Sequence, residues 1–513
     1  MTLKKRMIMI LAVAVIVGGF YGVGQLGWSV QTEKTEAEEE AEDSLFGHRE
    51  TLYLWYADET LTDYLNSVAV SYSEYQKEVR VIPVYTPGME YLETINQASL
   101  QTEEVPDLYI VSNDSLEKAY LAGLACEVEL PEGVLSMTDM LPQSAVRAVT
   151  YHDKQIGYPF YYETSCLLYN RTYLEDWARA QIEAERDQAL AEDAQEQADN
   201  GDVEEEIQEA QVQEEITEED VQAKVEATIP QTIDEILAFA DVYDAPEQVE
   251  AIFKWDVSDI FYNYFIVGKY MDVGGENGDN ADSIHIYNES AIRALRVYQN
   301  LNQFFSIDTK EISYDGVLQD FLDGKIVYTV ATSDALSKLE NAREEGGFSY
   351  EYGVSRVPDV SGELESASLS VTQCVAVNGY STKKQMANDF AVYLTQYNTE
   401  DLYGRTGKLP VHSDGKPYDD PGAAAFLEEY ARSVPMPKMI ETSNFWVELE
   451  IAFAKIWEGD DANNVLKALS EQIMGQVLGE AYTEEYIDVP IPVEETAEEL
   501  EEESETGQDG AQE

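Results

Sequence analysis

The side chains that most often carry catalysis are thinly spread in this chain. Its four histidines (His48, His152, His285, His412) are scattered, so no zinc cluster with helix or finger spacing can be written. No G-x-S-x-G elbow, P-loop or H-E-x-x-H motif occurs. Gly22, Gly24 and Gly27 match a dinucleotide fingerprint in form only, because they lie in an apolar run with no strand before it. No cofactor or metal is expected. Cys126, Cys166 and Cys374 occupy apolar contexts that predict burial rather than nucleophilicity, with a Cys126–Cys166 disulfide left open. Carboxylates such as Asp114 and Glu163 serve a glycosidase only at a separation of roughly 5–10 Å across a scissile bond. With no other catalytic signal, the chain reads as a binder and not an enzyme.

Charge narrows the partners. The 513 residues hold 32 Lys and Arg against 101 Asp and Glu, a net charge of −69. Nucleic-acid binding needs a basic face that releases counterions, and attachment to anionic lipid needs the same. Much of the charge lies in three stretches: residues 31–50 (net −6), 175–226 (net −17) and 483–513 (thirteen acids and no base). The first reads as an acidic linker and the last as a disordered, self-repelling tail. The middle stretch, 175–228, is rich in Glu, Gln and Ala with one Gly, which predicts a solvated helical insertion, a hairpin turning near Asn200-Gly201. It serves as a surface elaboration or as a docking site for a basic partner.

Lys4, Lys5 and Arg6 precede an apolar run from Met7 that continues to Val30. We read residues 1–30 as an uncleaved signal anchor in preference to a cleaved signal peptide, with the body on the extracytoplasmic side.

Between the acidic stretches, short apolar strands alternate with helices. TLYLWYADETL (51–61), EVRVIPVYTPG (78–88) and VPDLYIV (105–111) are strands with helices between them. Later segments repeat the texture: helices at 233–243, 289–305, 386–397, 443–457 and 461–478, and a helix–turn–strand–turn–helix at 321–339. This predicts an α/β fold with parallel sheets, whose ligands bind beyond the carboxyl ends of the strands. That rule puts Tyr56 to Thr60 and Ser112 to Asp114 near a crevice. GGENGDNADSIHIYN (274–288) lacks the spacing of a calcium loop and reads as a hairpin before a strand SIHIY.

Four segments in order carry a family resemblance: PDLYIVSNDSLEKAYLAGL (106–124), GYPFYYETSCLLYN (157–170), FLDGKIVYTVATSDAL (321–336) and MPKMIETSNFWVELEIAF (436–453). Together they resemble the extracellular solute-binding proteins of ABC importers, the maltodextrin- and sugar-binding type, over about 50–480. The resemblance implies a two-lobed, type II periplasmic-binding-protein-like fold hinged between lobes. Residues 50–162 with 372–425 would form the first lobe. Residues 163–371 with 426–480 would form the second, which carries the acidic insertion. It implies capture of a small solute, an oligosaccharide foremost, and delivery to an importer permease. A membrane-tethered sensor or scaffold of the same fold is the alternative.

Residue by residue, the resemblance implies a sugar-hydroxyl role for Asp114, an acid beside the hinge at Glu163 and an aromatic platform at Trp446. Carboxylates accept paired hydrogen bonds and aromatic faces suit pyranose rings. Trp255 stands about where the family places an aromatic, and Tyr56, Tyr161 and Tyr162 are candidates for the cleft wall. Structural roles remain open for the same residues: a helix cap for Asp114, an ion pair for Glu163, core packing for Trp446. Val111, Ser115 and Asp334 depart from the family pattern, which has Trp, Arg and Trp there. Asp58, Glu59, Asp114, Glu163 and Asp334 facing one crevice would instead suit a cationic solute such as a polyamine or basic peptide.

Overall fold

The computed structural model describes residues 49–101, 105–200, 216–305, 307–412, 415–442 and 444–490. The expected anchor (1–30), most of the acidic linker, the tip of the insertion (201–215) and the end of the tail lie outside them. Among the described residues, no helix is long and apolar enough to cross a membrane.

Among the described residues, twelve strands form in chain order: β1 (Glu50–Tyr56), β2 (Val79–Tyr85), β3 (Leu108–Ser112), β4 (Thr150–Tyr151), β5 (Lys154–Gln155), β6 (Tyr158–Asn170), β7 (Ala251–Phe253), β8 (Ile326–Thr332), β9 (Tyr352–Ser355), β10 (Leu369–Val377), β11 (Leu409–Pro410) and β12 (Val434–Pro435). The main sheet runs β2-β1-β3-β10-β6-β8-β7. Alternation in β1 buries Leu52, Leu54 and Tyr56 on one face. The continuous run Leu108–Val111 in β3 is buried throughout, as a central strand covered on both faces requires.

β1 pairs in parallel with β2 and β3. The expected all-parallel order stops there, because β10 enters antiparallel to both β3 and β6. β10 follows β3 in the sheet but comes from far along the chain, so no crossover helix constrains its direction. The two lobes share β6. Its first half, Tyr158 to Thr164, pairs with β10. Its second half, Ser165 to Asn170, pairs with β8 and β9.

Buried side chains form three clusters. One fills the first lobe, from Leu52 to Tyr161 and from Cys374 to Leu402. A second fills the second lobe around Trp255, Tyr298, Phe453 and Trp457. A third lies by the shared strand, where Tyr162, Cys166 and Leu168 meet Leu336, Leu409, Phe426 and Tyr430. The segment 409–425, expected in the first lobe, therefore packs with side chains of β8 and its following helix. The three cysteines are free.

The acidic insertion is rooted in the second lobe: the helix Arg171–Asn200 buries Tyr173, Leu174 and Ala178, and the helix Glu218–Thr228 buries Val221 and Val225. Arg179–Glu218 and Lys224–Glu185 ion pairs join the two helices. Two other expectations are corrected, those for the tail and for SIHIY. The tail begins later than residue 483, since Val489 is buried and Asn463 Nδ2 donates to the Ile487 carbonyl at 2.8 Å. SIHIY forms no strand; only a single bridge joins Asp272 and His285.

Candidate ligand-binding cleft

Strand direction turns several strand ends toward one zone. Because β1, β2 and β3 are parallel, their carboxyl ends at Tyr56, Tyr85 and Ser112 share an edge. In the other lobe Thr332, the last residue of β8, lies opposite Ser165 of β6. β7 runs parallel to β8. Both half-sheets thus turn their carboxyl ends toward the crossing at Glu163–Ser165. Glu163 is the single position along the thirteen residues of β6 that is not buried.

Glu163 does not stand alone. Lys408 Nζ lies 3.3 Å from Glu163 Oε1 and 3.3 Å from Asp58 Oδ2. It also sits 5.6 Å from the centre of the Tyr161 ring. Gly407 ends the helix Leu402–Thr406 with φ of 70°. A Cβ there would come 2.9 Å from Ser337 Oγ, so this turn, which aims Lys408 at the crossing, needs glycine on both counts. Asp58 caps the turn Glu59–Leu61: its Oδ1 accepts from the Thr60 amide at 3.0 Å and the Thr60 hydroxyl at 2.6 Å. Burial pushes the Asp58 carboxyl upward, but Thr60 and the Lys408 ammonium outweigh it and hold it below its ordinary value. Burial pulls Lys408 down, and Glu163 and Asp58 more than offset this. The adjacent Glu59 is exposed, so Asp58 and not Glu59 meets Glu163.

Asp114 is exposed beyond β3 and accepts from the Ser112 hydroxyl. It does not cap the following helix, Leu116–Leu121, which has no side-chain cap. Its neighbour Asn113 is buried and ties the cleft edge to later chain, donating to the Met436 carbonyl at 2.6 Å. Glu117 accepts from the Ile440 amide at 2.6 Å. Between these bonds Lys438 is buried, with Nζ donating to the carbonyls of Arg147 (2.8 Å) and Asn277. This strap leads into the helix Phe445–Trp457 and positions Trp446 in its first turn. Phe445, Leu449 and Phe453 take the buried positions. Trp446 is half-buried, with the Tyr264 ring edge-on at 5.5 Å.

Asp334 follows β8 but is already engaged. Tyr314 donates to its Oδ1 at 2.7 Å, and Lys338 Nζ lies 2.8 Å from Oδ2. Burial pushes the carboxyl up, yet Lys338, Thr332 and Tyr314 hold it below its ordinary value. Tyr262 stacks on Tyr314 at 4.8 Å.

Three aromatic candidates are corrected. Trp255 is 0% exposed, stacked on Phe253 at 4.5 Å, with its indole N–H donating to Asn263 Oδ1 at 2.9 Å. Tyr162 is buried and stacked on Tyr430 at 4.0 Å. Tyr56 is buried, its hydroxyl on Thr62 Oγ1 at 3.0 Å. Tyr56 and Tyr162 lie on strands and Trp255 just beyond β7, and all three side chains fill cores.

Lys408 escaped the sequence reading because nothing in TGKLPV marks it. Asp259 and Phe261 escaped it too. Ser165 Oγ donates to the Phe261 carbonyl at 3.3 Å, seating the turn Ile260–Tyr262 beside the crossing. Asp259 caps that turn through the Phe261 amide at 2.8 Å, and burial raises its carboxyl. Its Asx-turn spacing, acid two residues before the bonded amide, was the available signal. Among the described residues no group of His, Cys, Asp or Glu is placed to hold a metal ion. The arrangement offers ionised acceptors and half-buried rings, which is chemistry for binding hydroxyl-rich solutes.

Solved structures share this architecture. An extracellular solute-binding protein from Staphylococcus aureus, in complex with maltose, is 18% identical, with a TM-score of 0.62 over 83% of this chain and 98% of its own. The maltose-binding periplasmic protein of Listeria monocytogenes, also with maltose, is 20% identical, with a TM-score of 0.62 over 85% and 99%. MalX from Streptococcus pneumoniae, with maltopentaose, is 17% identical, with a TM-score of 0.57 over 82% and 99%. At these identities the likeness is one of fold, an α/β two-lobed binding protein. No curated protein matches the chain. The family model described as bacterial extracellular solute-binding protein matches residues 71–421, which include the shared strand β6, Glu163 and Lys408. This chain belongs to the bacterial extracellular solute-binding protein family.

Proposed function

We propose that the protein captures an oligosaccharide between its two lobes and delivers it to the permease of an ABC importer. The observation that carries this is Glu163: the one unburied position of the shared strand, sharing Lys408 with Asp58 where both half-sheets end. Solved proteins of this fold were captured with maltose or maltopentaose, which supports a saccharide ligand. Carboxylates at the crossing accept hydroxyl protons, Trp446 offers a ring face, and closure of the lobes excludes water from both. The family is one of receptors, so binding and release, not bond cleavage, is the expected activity.

A polyamine or other cationic solute is less well served, because Lys408 and Lys338 already pair with the carboxylates such a ligand would need. We place the body outside the cytoplasm, tethered by residues 1–30, on the strength of the family and of Lys4, Lys5 and Arg6 before the apolar run. A tethered sensor is the second reading, favoured by the acidic helices rooted in the second lobe.

A thermal-shift panel of malto- and xylo-oligosaccharides, polyamines and basic peptides tests the proposal. A ligand at a hundred times its Kd adds about 2.7 kcal/mol, enough to raise Tm by several degrees. A shift with one saccharide class supports the reading; shifts with cations alone contradict it. Co-purification of a permease separates transport from sensing, and membrane fractionation tests the tether.

A further inference from the structure

Lys408 occupies the place the sequence left for a cationic ligand. Its ammonium is 3.3 Å from an oxygen of Asp58 and 3.3 Å from one of Glu163. Those two oxygens are therefore no farther apart than twice that distance. The Lys408 side chain is 22% exposed and its head lies over Tyr161. Asp58 spends its other oxygen on Thr60. Nothing in the local sequence requires a lysine here, since the turn is made by Gly407 and the following strand by Leu409–Pro410.

We infer that Lys408 is a specificity-determining residue: it fills the ammonium position of the cleft, holds Asp58 and Glu163 in place as hydroxyl acceptors, and excludes amines. A tethered ammonium competes at high effective concentration with any dissolved one. An incoming amine must displace it and leave a half-buried lysine without its partners. A neutral polyol instead adds hydroxyls to lone pairs that the lysine does not use. The admitted ligand rests on the oligosaccharide reading, whereas the exclusion of amines rests on the ion-pair geometry alone. With the ammonium removed, two close carboxylates face each other and recruit a cation.

The test is calorimetric titration of spermidine, and separately of maltotetraose, into the full chain and its Lys408→Gln, Lys408→Met and Lys408→Arg variants. Salt of about 0.15 M is used, and weak binding to the acidic tail is common to all variants and cancels in the comparison. Lys408→Gln is expected to bind spermidine at least about tenfold more tightly than wild type. Lys408→Arg should behave as wild type, and adding Glu163→Gln to Lys408→Gln should abolish the gain. Lys408→Met keeps the stem against Tyr161 and gives the same reading if the Gln variant misfolds. Wild type binding spermidine as tightly as the variants, or folded Gln and Met variants with no gain, would overturn the inference. A gain of spermidine binding in a protein silent to every oligosaccharide would overturn the saccharide reading and leave the role of Lys408 standing.

Discussion

Lys408 and Glu163 are 245 residues apart in sequence and their charged groups meet at 3.3 Å. The pair joins the strand shared by both lobes to the chain entering β11, so the cleft floor is built by segments from distant parts of the sequence. Asp58 completes it from the end of β1. The proposed binding chemistry and the inter-segment structure therefore rest on the same three side chains.

Glu163→Gln and Trp446→Ala should each weaken oligosaccharide binding about tenfold to a hundredfold. The first removes a charged acceptor, whose hydrogen bonds are worth about 1.5–3 kcal/mol. The second removes a ring face that is already half-buried. Calorimetry of each variant checks this, with circular dichroism confirming the fold.

Trp255→Ala should act on stability instead. The indole is 0% exposed, with Phe253, Phe305 and Trp457 against it. Truncating such a ring costs about 3–5 kcal/mol. Urea unfolding should show the loss, while the folded fraction keeps wild-type ligand affinity.

Lys438 should make stability rise with pH in mildly alkaline solution. Burial depresses its ammonium from 10.5 to about 8, despite the nearby Asp279 and Glu117 carboxylates. Between those values the unfolded chain binds the proton that the folded chain has released, so raising pH favours folding. The contribution is full above 10.5 and lost as pH falls through about 8. From about pH 8 to about pH 10, wild type should gain roughly 1–3 kcal/mol relative to Lys438→Met. Urea midpoints of the two proteins at each pH measure it; parallel curves would contradict the buried ammonium.

Replacing residues 187–215 with a short Gly/Ser linker should leave ligand binding unchanged and cost less than about 1 kcal/mol. The roots at Tyr173, Leu174, Val221 and Val225 are retained, and the removed part lies beyond them. Thermal unfolding and calorimetry of the shortened chain check this. Loss of permease or partner capture by the same protein, with ligand binding intact, would favour the sensor or scaffold reading.

The strands of the first lobe were legible because alternation and continuous apolar runs are local signals: Leu52, Leu54 and Tyr56 in β1, Leu108 to Val111 in β3. The helix Glu289–Phe305 was legible for the same reason, at helical spacing. The direction of β10 was not, because its neighbours β3 and β6 are chosen by tertiary packing. The motif singles out Glu163 as an acid beside the hinge, and its ion pair is foreseen only as one with an unnamed partner. Lys408 carries no periodicity or motif, so only the folded chain brings it to Asp58. Trp255 misled because an aromatic after a strand end looks the same whether it faces solvent or the core.

The proposed saccharide site is the crossing between the lobes. Calorimetric titration of maltotetraose and xylotetraose into wild type, Glu163→Gln and Trp446→Ala tests it most directly. Wild type should bind one saccharide class one-to-one, weakened at least about tenfold in both variants. Binding that is unaffected in both variants, or no saccharide binding by folded wild type, would contradict it.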